Sequence, residues 1–101
     1  MTTVYVVNKG GHDFSPASKY GKLVYLSEGL VSPFSVDKMY REFVEKFRDS
    51  GPDDFILMTG LSVMNSIACA TFACKHDGRL NLLLYRNKKY ITRTLLLNEL
   101  L

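Results

Sequence analysis

Hydrophobic and polar positions along this chain follow two different periods, and the changes between them predict its elements. Apolar positions at helical spacing predict helices over residues 36–49 and 62–75. Short runs of β-branched, aromatic or leucine side chains are typical of strands at residues 4–7, 22–26, 55–58, 79–85 and 89–97. The order β-β-α-β-α-β-β predicts an α/β domain, with α+β as the alternative, and a mixed sheet of about five strands.

The two predicted helices differ in how much of their surface is apolar. The first has one apolar stripe and a mixed-charge face, and Ser35 stands where an N-cap is expected. The stripe consists of Val36, Met39, Tyr40, Phe43, Val44 and Phe47. The second helix has almost no polar face, which predicts burial on most sides. Because the chain is short, we expect a homo-oligomer in which residues 62–75 or the edge of the final hairpin contribute to the interface.

Composition limits the classes of protein. The chain has 101 residues, of which 47% are hydrophobic, and a net charge of +3. These values indicate one globular domain, residues 1–101, and permit an anionic partner without requiring one. No stretch has the roughly 18 apolar residues of a membrane span and no signal peptide is recognisable, so we expect no membrane partner. Cys69 and Cys74 lie on different sides of one helix, so we expect buried, reduced thiols rather than a disulfide.

Two polar turns follow predicted strands and form the candidate binding site. If the first and third strands are parallel, both turns lie at the carboxyl edge of the sheet, where ligands of open α/β sheets bind. Backbone N–H groups, a helix dipole, hydroxyls and a lysine would favour a small anion there. The candidate residues are Lys9, Gly10, Gly11, His12, Thr59, Gly60, Ser62 and Asn65. The alternatives are a helix cap at Thr59 or Ser62 and an ordinary glycine turn.

The motifs of several enzyme classes are missing from the sequence. It contains neither a GxxxxGK[ST] nor a GxGxxG pattern, and its two histidines and two cysteines form neither HxxxH nor CxxC. The adjacent side chains of His12 and Asp13 diverge, and Cys69 lies in mid-helix rather than at a helix N-terminus. We therefore expect no catalytic residue, no metal ligand and no cofactor.

The final hairpin combines basic and aromatic residues. Tyr85 and Tyr90 are interleaved with Arg86, Lys88, Lys89 and Arg93, with residues 86–88 as the predicted turn. This pattern suits phosphate contact and base stacking, so nucleic acid is a candidate partner. The alternative is a solvated edge hairpin whose lysines prevent edge-to-edge pairing.

Five short segments together resemble small accessory proteins of tailed bacteriophages. The segments are residues 4–8, 11–13, 39–43, 57–61 and 80–85, with the sequences VYVVN, GHD, MYREF, LMTGL and LNLLLY. The resemblance covers nearly the whole chain and implies a viral protein in the host cytoplasm. The strand–turn–helix order is also similar to that of small viral proteins that handle cyclic nucleotides, by analogy of arrangement alone.

Two functions remain open at this point. In the first, the protein binds a nucleotide or nucleotide signal without turnover and so counteracts host defence. In the second, it is a protein–protein interaction module, either an inhibitor of a host protein or a virion component. A concave site lined by Lys9, His12, Thr59 and Ser62 would favour the first function. An exposed apolar patch without a pocket would favour the second.

Overall fold

A computed structural model describes residues 2–59 and 61–101 of the chain. Its strands are β1 (Thr3–Val6), β2 (Lys22–Tyr25), β3 (Phe55–Leu57), β4 (Arg79–Arg86) and β5 (Lys89–Leu96). Its α-helices are α1 (Val36–Lys46) and α2 (Ser62–Lys75), and a 3-10 helix covers Ser15–Tyr20. The predicted order of strands and helices is confirmed, and the element ends move by a few residues.

The strands form one mixed sheet in the order β2-β1-β3-β4-β5. β1 pairs in parallel with both β2 and β3, and β3 pairs in parallel with β4. Only β5 is antiparallel, and it pairs with β4 along all eight residues from Arg79 to Arg86. The α/β prediction is therefore confirmed, and the parallel pairing of β1 with β3 meets the condition on which the candidate site depends.

The order of strands places the helical segments on opposite faces of the sheet. The chain moves outward from β1 to β2 and then returns past β1 to β3 and β4. Right-handed connections in opposite directions must cross opposite faces. The packing agrees, because Ala17 of the 3-10 helix belongs to one buried cluster with Val4 and Leu83, whereas Phe43 of α1 belongs to another with Tyr5 and Ile56. We call these two sides the 3-10 face and the helix face.

Aromatic rings hold the two α-helices on the helix face. The Phe47 ring contacts Tyr5 of β1 edge-on at 4.9 Å between centroids and Phe72 of α2 at 5.7 Å. Met39, Phe43 and Phe47 are buried, so half of the predicted apolar stripe of α1 enters the core. Val36, Tyr40 and Val44, the other half, stay exposed. The stripe is wider than the part of α1 that the sheet and α2 cover.

The end of α1 is capped by a residue from α2. The Lys75 amine donates to the backbone carbonyls of Phe47 and Arg48, which lie just beyond the last turn of α1. The Phe47 carbonyl also accepts from the Ser50 N–H and hydroxyl. At the start of α1, the expected Ser35 cap is wrong: Ser35 contributes its carbonyl to the Met39 N–H, and no side-chain cap bond forms there among the described residues.

Buried polar groups join the strands at the amino edge of the sheet. The Asp54 carboxylate accepts hydrogen bonds from the Thr3 and Gly51 N–H groups, both at 2.8 Å. The Asn81 side chain donates to the carbonyls of Pro52 and Asp54 and accepts from the Thr94 hydroxyl. These bonds satisfy the buried amide and link the loop before β3 to β4 and β5, which fixes the edge opposite the candidate site.

The hairpin between β4 and β5 turns over two residues rather than the predicted three. Arg86 pairs with Lys89, and the turn residues Asn87 and Lys88 have φ values of 52° and 64°. A two-residue turn with both φ values positive matches the twist of the strands. Asparagine tolerates this conformation, whereas lysine is strained in it by roughly 1–2 kcal/mol.

We predict that Lys88→Gly stabilises the protein, because glycine adopts positive φ without steric cost. Glycine also makes the unfolded chain more flexible, which destabilises the folded state by roughly 0.4–1 kcal/mol. The strain relieved at Lys88 is larger than this loss. The melting temperature should rise by a few degrees. Differential scanning calorimetry measures the change, and Asn87→Gly is the matched control, with a smaller rise expected. A melting temperature at or below that of the wild type would contradict the strain argument.

Candidate functional site

The two candidate loops meet at the carboxyl edge of β1 and β3. The strand order reverses at this point, since the chain leaves β1 toward the 3-10 face and leaves β3 toward the helix face. Such a switch point usually leaves a crevice between the two departing loops. Gly60, a candidate residue in the second loop, lies outside the described residues.

Thr59 joins the two loops across this crevice. Its hydroxyl accepts a hydrogen bond from the Asn8 N–H and donates one to the Asn8 carbonyl, both at 2.8 Å. The Thr59 side chain thus satisfies both the N–H and the carbonyl of Asn8. It extends the pairing of β1 with β3 by one position. The hydroxyl uses its donor in this contact, so it holds the switch point closed.

Asn65 also bonds within the protein. Its side-chain oxygen accepts a hydrogen bond from the Thr59 N–H at 3.0 Å, and its amide donates to the Leu61 carbonyl at 3.3 Å. Leu61 is the N-cap residue of α2, and neither Thr59 nor Ser62 caps the helix through its side chain among the described residues. Ser62 is exposed at the first helical position. Asn65 therefore fixes the orientation of the loop that carries Thr59.

Lys9 extends toward β2. Its backbone bridges to the segment after β2, with the Lys9 N–H donating to Ser27 at 2.8 Å and the Gly29 N–H donating to Lys9 at 3.0 Å. The Lys9 amine lies over the Tyr25 ring, 5.1 Å from its centroid. The positive charge that was expected to bind an anion therefore has a cation–π partner within the protein.

Gly10 and Gly11 are exposed and unconstrained. The glycines with positive φ in the described residues are Gly21, Gly29 and Gly78. A β-carbon added to Gly10 or Gly11 would meet no atom within 4 Å. Neither position requires the backbone freedom of glycine, and another residue would fit at either one.

His12 belongs to a cluster of aromatic rings on the 3-10 face. Its ring lies 5.1 Å from Phe14 and 5.8 Å from Tyr85, and the rings of Tyr85 and Tyr90 are 5.0 Å apart. Together they line a pocket of about 250 Å³, whose remaining wall comes from the end of β3 at Leu57, Met58 and Thr59. We call it the aromatic pocket.

The aromatic pocket is lined by two of the candidate residues and by several residues that were not among the candidates. His12 and Thr59 line it, whereas Lys9 and Ser62 do not. Phe14 had no signal in the sequence beyond being an aromatic residue in a polar loop. Tyr85 and Tyr90 could have been assigned to this wall from strand alternation, because they pair directly across β4 and β5 and share a face with Leu83.

Charge near the aromatic pocket is mixed. Burial raises the pKa of the Tyr90 phenol, and nearby Tyr85 and Asp13 raise it further, so it stays protonated and can donate. Hydrogen bonds from the Ser15 backbone and side chain lower the pKa of Asp13, which is therefore ionised at neutral pH. Asp13 does not line the pocket, but its charge is near enough to raise the pKa of Tyr90, and a carboxylate at this distance disfavours a phosphate. The pocket therefore suits the edge of a base better than a free phosphate.

Strand alternation separates the basic and aromatic residues of the hairpin. Arg86 pairs with Lys89, and Arg93 pairs with Leu82 of the helix-face core. Alternate residues point to opposite faces, so these three lie on the helix face while Tyr85 and Tyr90 lie on the 3-10 face. Lys88 is in the turn itself. Nucleic-acid binding through these residues stays a prediction, but one stacked base cannot meet both sets on one surface.

Other chemistry is sparse in the described part of the chain. No group of three or more His, Cys, Asp or Glu side chains there is placed to hold a metal ion. Cys69 and Cys74 are both free, and Cys74 is exposed, which corrects the expectation that both are buried. Burial raises the pKa of the Cys69 thiol, which makes it a poor nucleophile. None of the helices in this part is both long and apolar enough to cross a membrane.

Comparison with known families identifies the kind of protein. The family model described as Phage Pam3 gp32-like protein matches residues 2–97. The chain belongs to this family. The resemblance to accessory proteins of tailed bacteriophages is thereby confirmed over nearly all of the sequence. Comparison with curated proteins and with solved structures gives no significant match.

The geometry at Thr59 predicts a structural role for this candidate residue of the phage protein. Thr59→Val removes both hydrogen bonds to Asn8 at constant shape and leaves two backbone groups without partners. The free energy of unfolding should fall by about 1–3 kcal/mol. Thr59→Ser keeps the hydroxyl and should lose much less. Urea denaturation measures the free energy of unfolding of both variants, provided that their m-values equal that of the wild type. Equal stability of the Val and Ser variants would show that the hydroxyl does not hold the switch point.

Proposed function

We propose that this phage protein binds a nucleotide through its base and does so without turnover. The observation that supports the proposal is the aromatic pocket beside the switch point, where His12, Phe14, Tyr85 and Tyr90 surround a concave space. Base–aromatic stacking contributes about 1–3 kcal/mol per base. Tyr85 is half exposed, so a planar ligand can reach its ring from solvent.

The size and charge of the pocket narrow the ligand class. A volume of about 250 Å³ is below the ~300–1,000 Å³ of typical small-molecule sites, so it suits one base or nucleoside. The protonated Tyr90 phenol, which lines the pocket, offers a donor for the polar edge of a base. The phosphate would lie outside, in solvent or toward Lys88 at the hairpin turn. Holding a host nucleotide signal in this way, in the host cytoplasm, would counteract host defence.

Calorimetric titration tests the proposal against the anion site expected from the loops. The probes are AMP, GMP and UMP together with adenosine and guanosine. We expect at least one nucleotide to bind wild-type protein, and its nucleoside to bind within about tenfold of it. Tyr85→Ala should weaken binding by roughly 5- to 150-fold through lost stacking, whereas Tyr85→Phe retains the ring and should bind normally.

The Lys9→Ala variant distinguishes binding at the aromatic pocket from binding at the anion site expected from the loops. A phosphate held by Lys9 would lose one charge-assisted hydrogen bond, and affinity would fall roughly ten- to hundredfold. The aromatic pocket predicts no change, because the Lys9 amine lies over Tyr25. Thermal melts of each variant control for folding. Sensitivity to Lys9 but not to Tyr85 would overturn base recognition, and absence of binding by all five probes would overturn the nucleotide proposal.

A second function is favoured by the loop between β2 and α1. Leu30 and Phe34 are almost fully exposed there, which is unusual for side chains of this size that are close together in one loop. They suit an interaction module that presents a short apolar loop to a host protein. Native mass spectrometry of protein purified from infected cells, with the Leu30→Ser, Phe34→Ser double variant as control, distinguishes a retained nucleotide from a retained protein.

A further inference from the structure

An apolar groove runs between α1 and α2 on the side of the molecule away from the sheet. Its volume is about 570 Å³. One wall is the exposed half of the α1 stripe, at Val36, Tyr40 and Val44. The other wall is α2, which contributes Ile67 and the smaller side chains of Ala70, Thr71 and Cys74. Tyr40 therefore gives the α1 wall its bulk, whereas the α2 wall beyond Ile67 consists of small side chains.

The two walls are complementary to each other. Val36, Tyr40 and Val44 are spaced at i, i+4 and i+8, which is the ridge that packs into the groove of another helix. Ala70 and Cys74 have the same i, i+4 spacing on α2 and leave room for a bulky neighbour. A second copy related by a two-fold axis that crosses both helices would bring its α1 ridge, centred on Tyr40, against the α1 ridge of the first copy, and the small residues of α2 leave room beside it.

The charges at the two ends of the groove favour an antiparallel second copy. α1 and α2 run in the same direction, because each joins two parallel strands. Asp37 lies at the start of the groove and Lys75 at its end. In an antiparallel dimer, Asp37 of each chain therefore lies near Lys75 of the other, which gives two pairs of opposite charge. The helix dipoles of the two chains also point in opposite directions, which is favourable. A parallel copy would place like charges together.

We propose that this groove is a homodimer interface, formed by two copies of the chain related by a two-fold axis with their α1–α2 grooves antiparallel. The aromatic pocket lies on the opposite face of the sheet and stays open in such a dimer. The surplus of apolar positions on α1 and α2 is then explained by the second copy, which covers what one chain leaves exposed.

Sedimentation velocity from micromolar to hundreds of micromolar concentrations tests self-association. Wild-type protein should dimerise, and Tyr40→Glu should raise the dissociation constant about 30-fold or more, as for a central aromatic anchor. Tyr85→Glu is the matched control, since Tyr85 is 51% and Tyr40 52% exposed, but Tyr85 lies on the other face. It should leave the dimer unchanged.

A disulfide tests the antiparallel arrangement. Asp37 is ten residues, or about 15 Å along the helix, from Phe47, which Lys75 contacts. Within one chain, Asp37→Cys therefore cannot reach Cys74, whereas an antiparallel partner brings the two together. Mild oxidation of Asp37→Cys should give a covalent dimer, and adding Cys74→Ser should abolish it.

Three results would overturn the proposal. The first is a monomer at every concentration, including one whose groove takes up a peptide or another protein instead. The second is a dimer that Tyr40→Glu leaves intact, which would place the interface elsewhere, for example along β5. The third is a dimer in which Asp37→Cys does not cross-link through Cys74, which would exclude the antiparallel arrangement. Circular dichroism of each variant establishes that it is folded.

Discussion

The handedness of the connections around β1 is the constraint on which the rest of this structure depends. β1 is an interior strand between β2 and β3, and the chain leaves it in one direction before it returns on the other side. Because right-handed connections are strongly preferred, the short 3-10 helix must cover one face and both α-helices the other. The helix face has a thick layer, whereas the 3-10 face has six helical residues, Ser15–Tyr20.

This asymmetry determines where a ligand can enter. A long helix over the 3-10 face would cover the ends of β3 and β4, and the aromatic pocket could not exist. The 3-10 helix instead packs over β1 and β2, and the rings of His12 and Tyr85 line a pocket beyond it. The same asymmetry crowds both α-helices onto one side, where α1 presents more apolar surface than the sheet and α2 can cover. A binding pocket and an uncovered groove are thus two results of one strand order.

Much of the fold could be predicted from the sequence because local patterns determine it. The helical spacing of Met39, Phe43 and Phe47 and the β-branched runs identify elements without knowledge of their neighbours. Which half of an apolar stripe becomes buried depends on the neighbouring layer, so exposure of Tyr40 could not be predicted. The cap that Lys75 provides joins two helices far apart in sequence, and no local signal announces it.

The meeting of the two candidate loops at one sheet edge could be predicted, but the contacts of their side chains could not. Parallel pairing of β1 with β3 brought both loops to one edge, as the order of elements implies. The hydroxyl of Thr59 then bonds to Asn8, and Lys9 turns to Tyr25, because backbone groups at a strand end take the nearest available partners. At the hairpin, strict alternation along β4 and β5 could have separated Arg86 from Tyr85 in advance.

The position of β1 between β2 and β3 also has a consequence for the order of assembly. β4 and β5 are joined by a two-residue turn, whereas β1 is held to the β3 region by contacts 51 residues apart. Closing a loop of that length costs roughly 2–3 kcal/mol more conformational entropy than closing the hairpin. β1 reaches β2 over a much shorter loop, since Thr3 pairs with Lys22, so the joining of the β1–β2 pair to β3 is expected to be among the last steps. Until then, the facing edges of β1 and β3 are unpaired, and they are the part of the nascent chain most exposed to aggregation.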